Sequence, residues 1–340
     1  MKKRLTFATV LLALLVPAAA AQAAEPISGA GSTFAAKIIA KWASDVAPKG
    51  VKVTYQAVGS GDGRAALIAG KVDFAASDGP APAAEVAKLK AKYGGVVHVP
   101  ETSGGIAVVY NVKGVTNLKL SGPTLAKIFS GAVKKWNDAA IAVDNGAPGP
   151  NLPIKVFVRS DKSGSSGVFT GYLSAAGGGA WKGGTTETFP TGAGGRQGRD
   201  GGSALAAAVA ATNGAIGYVD HGTAVGKKLR EALVKNRAGQ FRPPAPANVS
   251  AAINEATTRG DGTLGVTYTP KSGNAYPIST VSYVVAPAKL RAAKAQSLKA
   301  FLGYALSNAG QGRAAPLGYA PLPGRLRTFA NQQVGKITGR

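Results

Sequence analysis

Apolar positions along this chain switch repeatedly between a period of two and a helical spacing. Val51-Lys52-Val53-Thr54-Tyr55-Gln56-Ala57 alternates as a strand does, and so does Ile154-Lys155-Val156-Phe157-Val158. Phe34, Ile38, Ile39, Trp42 and Val46 mark one face of a helix; Val168, Phe169, Tyr172 and Leu173 mark one face of another. Further strands are read at Val72–Ala76, Val96–Val99, Ile106–Tyr110, Ala215–Val219 and Tyr276–Val285. Helices are read at Arg64–Ala69, Glu85–Lys92, Thr124–Phe129, Ser203–Thr212, Asn248–Thr257 and Leu290–Asn308. Strands alternating with helices predict an α/β fold with largely parallel sheets. Two sheets joined by a double crossover, with Pro100–Gly105 as a crossing point, would leave a cleft between two lobes.

Two junctions carry the candidate chemistry. Arg159-Ser160-Asp161-Lys162-Ser163-Gly164-Ser165-Ser166-Gly167 lies between a strand and a helix. Such a loop presents N–H groups and hydroxyls at a helix start, where the helix dipole favours an anion. Arg159 adds a planar fork suited to a tetrahedral oxyanion. The second junction is Ser28-Gly29-Ala30-Gly31-Ser32-Thr33-Phe34, where Thr33 reads as an N-cap. Between them, Gly59-Ser60-Gly61-Asp62-Gly63 reads as a tight turn that needs glycine. Asp78 follows a strand, at the end where ligands sit in open α/β sheets. The Gly-rich stretch 177–202, with Arg196 and Arg199, reads either as a flexible connection or as a third loop approaching a ligand.

Composition narrows the class. Met1-Lys2-Lys3-Arg4, the apolar run Leu5–Val16 and Ala21-Gln22-Ala23 read as a secretory signal, residues 1–24, with the mature chain starting at Ala24 or Glu25. The run is short for a membrane span and no second one follows, so a free periplasmic protein is expected. There is no cysteine among 340 residues, which excludes disulfides, thiolate chemistry and a lipid-anchored cysteine. The 40 basic and 16 acidic residues give +24, and a chain so basic attracts anions. The cations are scattered and aromatics few, which argues against nucleic acid as a partner.

No enzyme motif is complete. Neither Ser60 nor Ser165 stands in Gly-x-Ser-x-Gly, and no Walker loop or Gly-x-Gly-x-x-Gly is present. With two histidines, His98 and His221, and no cysteine, neither a metal site nor a cofactor is expected. Hydroxyls and an Arg without a base describe a binder.

Five motifs in order resemble the periplasmic phosphate-binding proteins of bacterial phosphate ABC importers. They are Gly29-Ala30-Gly31-Ser32-Thr33-Phe34, Val58-Gly59-Ser60-Gly61, Asp73-Phe74-Ala75-Ala76-Ser77-Asp78, Arg159-Ser160-Asp161-Lys162-Ser163-Gly164-Ser165 and Gly214-Ala215-Ile216-Gly217-Tyr218-Val219. The resemblance spans the mature chain and implies a two-lobed type II periplasmic-binding fold, each lobe a sheet flanked by helices. It implies lobe 1 at 25–102 plus 276–340 and lobe 2 at 103–275. It implies that Thr33, Phe34, Ser60, Asp78, Arg159, Ser163, Gly164 and Ser165 hold one phosphate, with Asp161 fixing Arg159. Ser165 departs from the family's usual Thr but keeps a hydroxyl. The partners implied are inorganic phosphate and the membrane subunits of an ABC importer, with the receptor a monomer and not an enzyme. A secreted phosphatase on the same scaffold, or a receptor for another tetrahedral oxyanion, is the alternative.

Overall fold

The computed structural model describes residues 25–340; the predicted signal segment lies outside them. Eight strands form the main path of the central sheet: β1 (Ile27–Gly31), β2 (Val53–Ala57), β3 (Phe74–Ser77), β4 (Val96–Asn111), β5 (Lys155–Arg159), β6 (Gln197–Arg199), β7 (Ala215–Asp220) and β8 (Ser279–Pro287). Their order is β2-β1-β3-β8-β4-β7-β5-β6, and Arg230–Glu231 adds a ninth short strand on β4. Pairing is parallel within β2-β1-β3 and within β7-β5-β6, whereas β8 and β4 run antiparallel to their neighbours.

The crossing between halves differs from the sequence expectation. Val96–Val99 and Ile106–Tyr110 are the two ends of one 16-residue strand, β4. Its first part, Val96–Gly105, pairs with β8, and its second, Ile106–Asn111, pairs with β7. The two expected sheets therefore share β4 and bond as one. Pro100 is tolerated because the register shifts beside Tyr283, its partner on β8.

Helices cover the sheet through the faces that periodicity marks. In α1 (Ala36–Val46), Ile38, Ile39, Trp42 and Val46 are buried. Trp42 Nε1 donates to the Gly310 carbonyl at 2.8 Å, so the indole buries its one donor satisfied. α2 (Ser60–Ala69) starts earlier than expected, with Gly61 and Gly63 inside it. Of this run only Gly59 holds a positive φ, +96°. Gly63 is glycine for a different reason: a Cβ there would lie 2.2 Å from the Gly31 Cα. α3 (Gly164–Ala176) and α4 (Gly201–Ala211) pack on the other half. The expected helix Leu290–Asn308 is Ala292–Ala305, followed by a separate turn at Asn308–Gln311. The Gly-rich stretch ends in β6 and α4, so that part is neither flexible connection nor open loop. Arg196 donates to the Phe129 carbonyl at 2.9 Å, and Arg199 lies 4.9 Å from the Phe157 ring centre. Both arginines of that stretch are engaged in packing.

Candidate functional site

Four helix starts converge where β1, β2, β3 and β5 end. They are the turn Thr33-Phe34 leading into α1, Ser60 opening α2, Gly164 opening α3 and Gly201 opening α4. The first N–H groups of a helix have no intrahelical acceptor, so four such ends make a region of partial positive charge.

Asp78 sits at its centre, 2% exposed. The Ser32 hydroxyl donates to one carboxylate oxygen of Asp78 and the Ser165 hydroxyl donates to the other at 2.9 Å. The Asp78 N–H donates to Ser60 Oγ at 3.2 Å, and the Thr280 hydroxyl donates to the Asp78 carbonyl at 2.7 Å. Burial pushes the carboxyl up to about 6, with the two hydroxyls and Arg159 pulling down and Asp220 adding to the rise. It is therefore mostly ionised at neutral pH.

Arg159 is equally buried, at 2%. Its Nε donates to Asp161 Oδ1 at 2.5 Å and its Nη2 to Asp161 Oδ2, a fork held from one side. Nη1 donates to Thr33 Oγ1 at 3.1 Å. Asp161 Oδ1 also accepts the Gly201 N–H at 3.1 Å, tying the start of α4 to the pair. Ser163 caps α3, its Oγ accepting the Ser166 N–H at 3.3 Å. A Cβ on Gly164 would lie 2.3 Å from Ser60 Oγ, so glycine is what lets α3 approach α2. Phe34 is buried, with its ring edge-on to Tyr319 at 5.4 Å.

All nine residues named from sequence thus come together. Thr33 is placed as an acceptor for Arg159 rather than as the cap; Ser32 Oγ accepts the Ala35 N–H at 2.9 Å instead. Sequence reasoning missed Ser32, Thr280, Asp220 and Glu101. Asp220 had a signal, since it ends a strand as Asp78 follows one. Glu101 had none, being an acid inside an apolar strand. The histidines are structural. His98 accepts the Ala81 N–H at 3.1 Å, and His221 pairs with Glu231 at 2.8 Å.

The halves are in contact across the cleft. Besides Ser165 to Asp78 and Arg159 to Thr33, the Gly61 N–H donates to the Lys162 carbonyl at 3.0 Å. Fully buried Arg64 on α2 reaches Glu187 at 2.6 Å. Hollows of about 530 and 540 Å³ flank the cluster, one lined by Thr33, Asp161 and Gly201 and the other by Asp78, Gly164 and Thr280. Among the described residues no helix is long and apolar enough to cross a membrane, and no group of three His, Cys, Asp or Glu is placed to hold a metal.

Glu101 supplies a stability test. It is fully buried; Oε1 accepts from Ser282 at 2.8 Å and Oε2 has no partner. Burial pushes it from 4.5 up to about 8. The folded protein then keeps a proton that the unfolded chain releases, so stability falls as pH rises from 4.5 and levels off above about 8. His98, pushed by burial from 6.5 down to about 4, works the other way and adds stability up to 6.5. Above that, His98 no longer offsets Glu101. Ligand-free protein is expected to lose roughly 2 kcal/mol between pH 6.5 and 8, and Glu101→Gln to remove most of that slope. Thermal melts of both proteins across this range check it; parallel curves would show that Glu101 is ionised when folded.

A PBP superfamily domain matches residues 16–309. The phosphate-binding protein PstS of Pasteurella multocida is 37% identical over 94% of this chain and 93% of its own. That of Xylella fastidiosa is 35% identical over 88% and 82%. A crystal structure of a high-affinity periplasmic phosphate-binding protein bound with phosphate superposes with a TM-score of 0.74 at 25% identity, covering 93% of this chain and 99% of that one. The two-lobed architecture, the family match and these identities over nearly the whole length make the chain a member of the PstS family of phosphate-binding proteins, within the PBP superfamily.

Proposed function

We propose that this protein is a monomeric extracytoplasmic receptor that captures inorganic phosphate between its lobes and delivers it to the membrane subunits of an ABC importer, without turnover. Residues 25–102 with 276–340 form one lobe and 103–275 the other, with the pairing of β4 passing from β8 to β7 near their boundary. Thr33, Phe34, Ser60, Asp78, Arg159, Ser163, Gly164 and Ser165 hold the anion, and Asp161 fixes Arg159.

The observation that carries this reading is Asp78, a buried carboxylate set among hydrogen-bond donors. An anion site gains nothing from a carboxylate unless the ligand brings a proton. Phosphate at neutral pH does, and Asp78 accepts it in a charge-assisted bond. Sulfate brings none and leaves a buried carboxylate facing its oxygen, at a cost of roughly 2–5 kcal/mol.

The test is calorimetric titration of protein freed of ligand by unfolding and refolding, first with phosphate and then with sulfate. Tight one-to-one phosphate binding and no sulfate heat are expected. Asp78→Asn, which can donate to sulfate, should lose at least about a hundredfold of that preference. An undiminished preference in Asp78→Asn would place the selectivity elsewhere, and absence of any phosphate heat in the parent protein would overturn the reading.

A further inference from the structure

Asp220 is a buried carboxylate that the proposed site leaves unassigned. It ends β7, beside Ile106 of β4, and is 5% exposed. Its Oδ1 accepts the Thr223 N–H at 2.7 Å and so caps the short helix His221–Gly226. Its Oδ2 points at the start of α4. The position that a Cβ on Gly202 would take lies 3.9 Å from Asp220 Oδ2, 3.8 Å from Arg159 Nη1 and 3.7 Å from Thr33 Oγ1. Three groups from three separate elements thus surround one point, and two of them belong to the proposed phosphate cluster.

The charges facing Asp220 can be counted element by element. Arg159 and Asp161 come from the end of β5 and the loop after it. Lys37 on α1 donates to the Gly222 carbonyl at 2.9 Å. The Tyr319 hydroxyl donates to the Phe34 carbonyl, Asp78 lies across the cluster, and the His221–Glu231 pair stands behind. Arg159 and Lys37 are set against Asp78, Asp161 and Asp220, so the cluster is already negative before an anion enters. A dianion added there with every carboxylate ionised is repelled by that excess, and a proton taken up with it relieves the repulsion.

We propose that Asp220 is a second specificity-determining carboxylate of this site, one that couples phosphate capture to the uptake of a proton and helps exclude oxyanions that carry none. The proposal rests on the phosphate reading above and adds to it a residue and a pH dependence. Burial holds the Asp220 carboxyl above the usual carboxylate range, and its charge contributes to the rise at Asp78. The proton is shared within the group formed by the two carboxylates and the bound phosphate, and no bond to phosphorus forms or breaks. Because a proton is taken up with the phosphate, affinity falls as pH rises.

Asp220→Asn tests this cleanly because Asn caps a helix as well as Asp does, so charge is removed while the cap stays. Calorimetry with phosphate in buffers of different ionisation enthalpy counts the protons taken up. The variant is expected to take up fewer protons per phosphate than the parent. Its affinity should change less with pH, binding about tenfold tighter than the parent near pH 8.5, where the missing charge matters most. Weak sulfate binding should become measurable. Asp220→Glu, which restores the charge, should return the parent's proton count and pH profile, an effect a purely structural role would not produce. A proton count and pH profile in Asp220→Asn equal to the parent's would overturn the proposal while leaving the phosphate reading intact. Equal weakening at every pH would overturn it as well, reducing Asp220 to a support for α4. A parent protein that binds no phosphate would instead remove the reading beneath it.

Discussion

Replacing Arg159 by Ala is expected to weaken phosphate binding by roughly a hundred- to several-thousandfold. The guanidinium is buried, two of its nitrogens are fixed on Asp161 and a third on Thr33. The remaining N–H groups of Nη1 and Nη2 are pre-aimed donors, and a bond from a charged donor contributes about 1.5–3 kcal/mol. Truncation costs more than those bonds. It leaves Asp161 with the Gly201 N–H and no cation, beside Asp78 and Asp220, so an incoming anion meets the three carboxylates without the guanidinium that balances one of them. Arg159→Lys separates the two contributions. It keeps the charge but loses the fork, and should fall between the parent and Arg159→Ala. Calorimetric titration of all three proteins measures this. Phosphate affinity in Arg159→Ala within tenfold of the parent would show that this guanidinium does not hold the ligand.

Arg64→Met is expected to destabilise the fold by about 3–5 kcal/mol and to loosen the closed form. Arg64 has no exposed surface. Nε donates to Glu85 at 2.5 Å, Nη1 to Ser77 Oγ at 2.6 Å and Nη2 to Glu187 at 2.6 Å. It joins α2 to the residue before Asp78 on its own half and to Glu187 on the other. Removing it strands two partly buried carboxylates, of which only Glu85 keeps another cation, Lys162 at 2.7 Å. Glu187→Gln isolates the cross-cleft part. It should weaken phosphate binding a few-fold while unfolding of the ligand-free protein shifts little, because the rest of the hub stays intact. Denaturant unfolding with and without phosphate, with solution scattering for lobe separation, distinguishes the two variants. Parent-like stability in Arg64→Met would mean that the hub's desolvation cost cancels its bonds.

Much of this site was legible in the chain because it is local. The loop from Arg159 to Gly167 carries an anion fork, its carboxylate partner, a cap and a close-approach glycine within nine positions, between unambiguous strand and helix patterns. Asp78 was legible from its place after a strand. Ser32 was less so, because Thr33 reads as the cap, and only Asp78 arriving from 46 residues away gives Ser32 its second bond. Asp220 depended on knowing that β7 lies beside β4 and that α4 begins over it, which are long-range pairings. The unity of β4 was hidden by Pro100 and by Gly104-Gly105, which read as breaks. Glycine at 104 instead makes room for the Phe34 ring, which a Cβ there would approach to 2.5 Å.

The insertion of β8 between β3 and β4 has a consequence for how the protein is made. The first 111 residues contain β1 to β4, yet β3 and β4 are not neighbours: the strand between them comes from Ser279–Pro287. As the chain is made from its N-terminus, the segment holding β5, β6 and β7 can pair onto the second part of β4 at once. The first part must wait, with an open edge along both β3 and β4, until some 170 more residues have followed. An unfilled slot of that kind is an invitation to wrong strands and to other copies of the chain. Contacts so far apart in sequence also form slowly. Refolding should therefore show one half acquiring protected amides well before the other, with Ser279–Pro287 the last strand to be protected. A fragment ending before that strand should be held by chaperones or degraded rather than accumulate as a half-receptor.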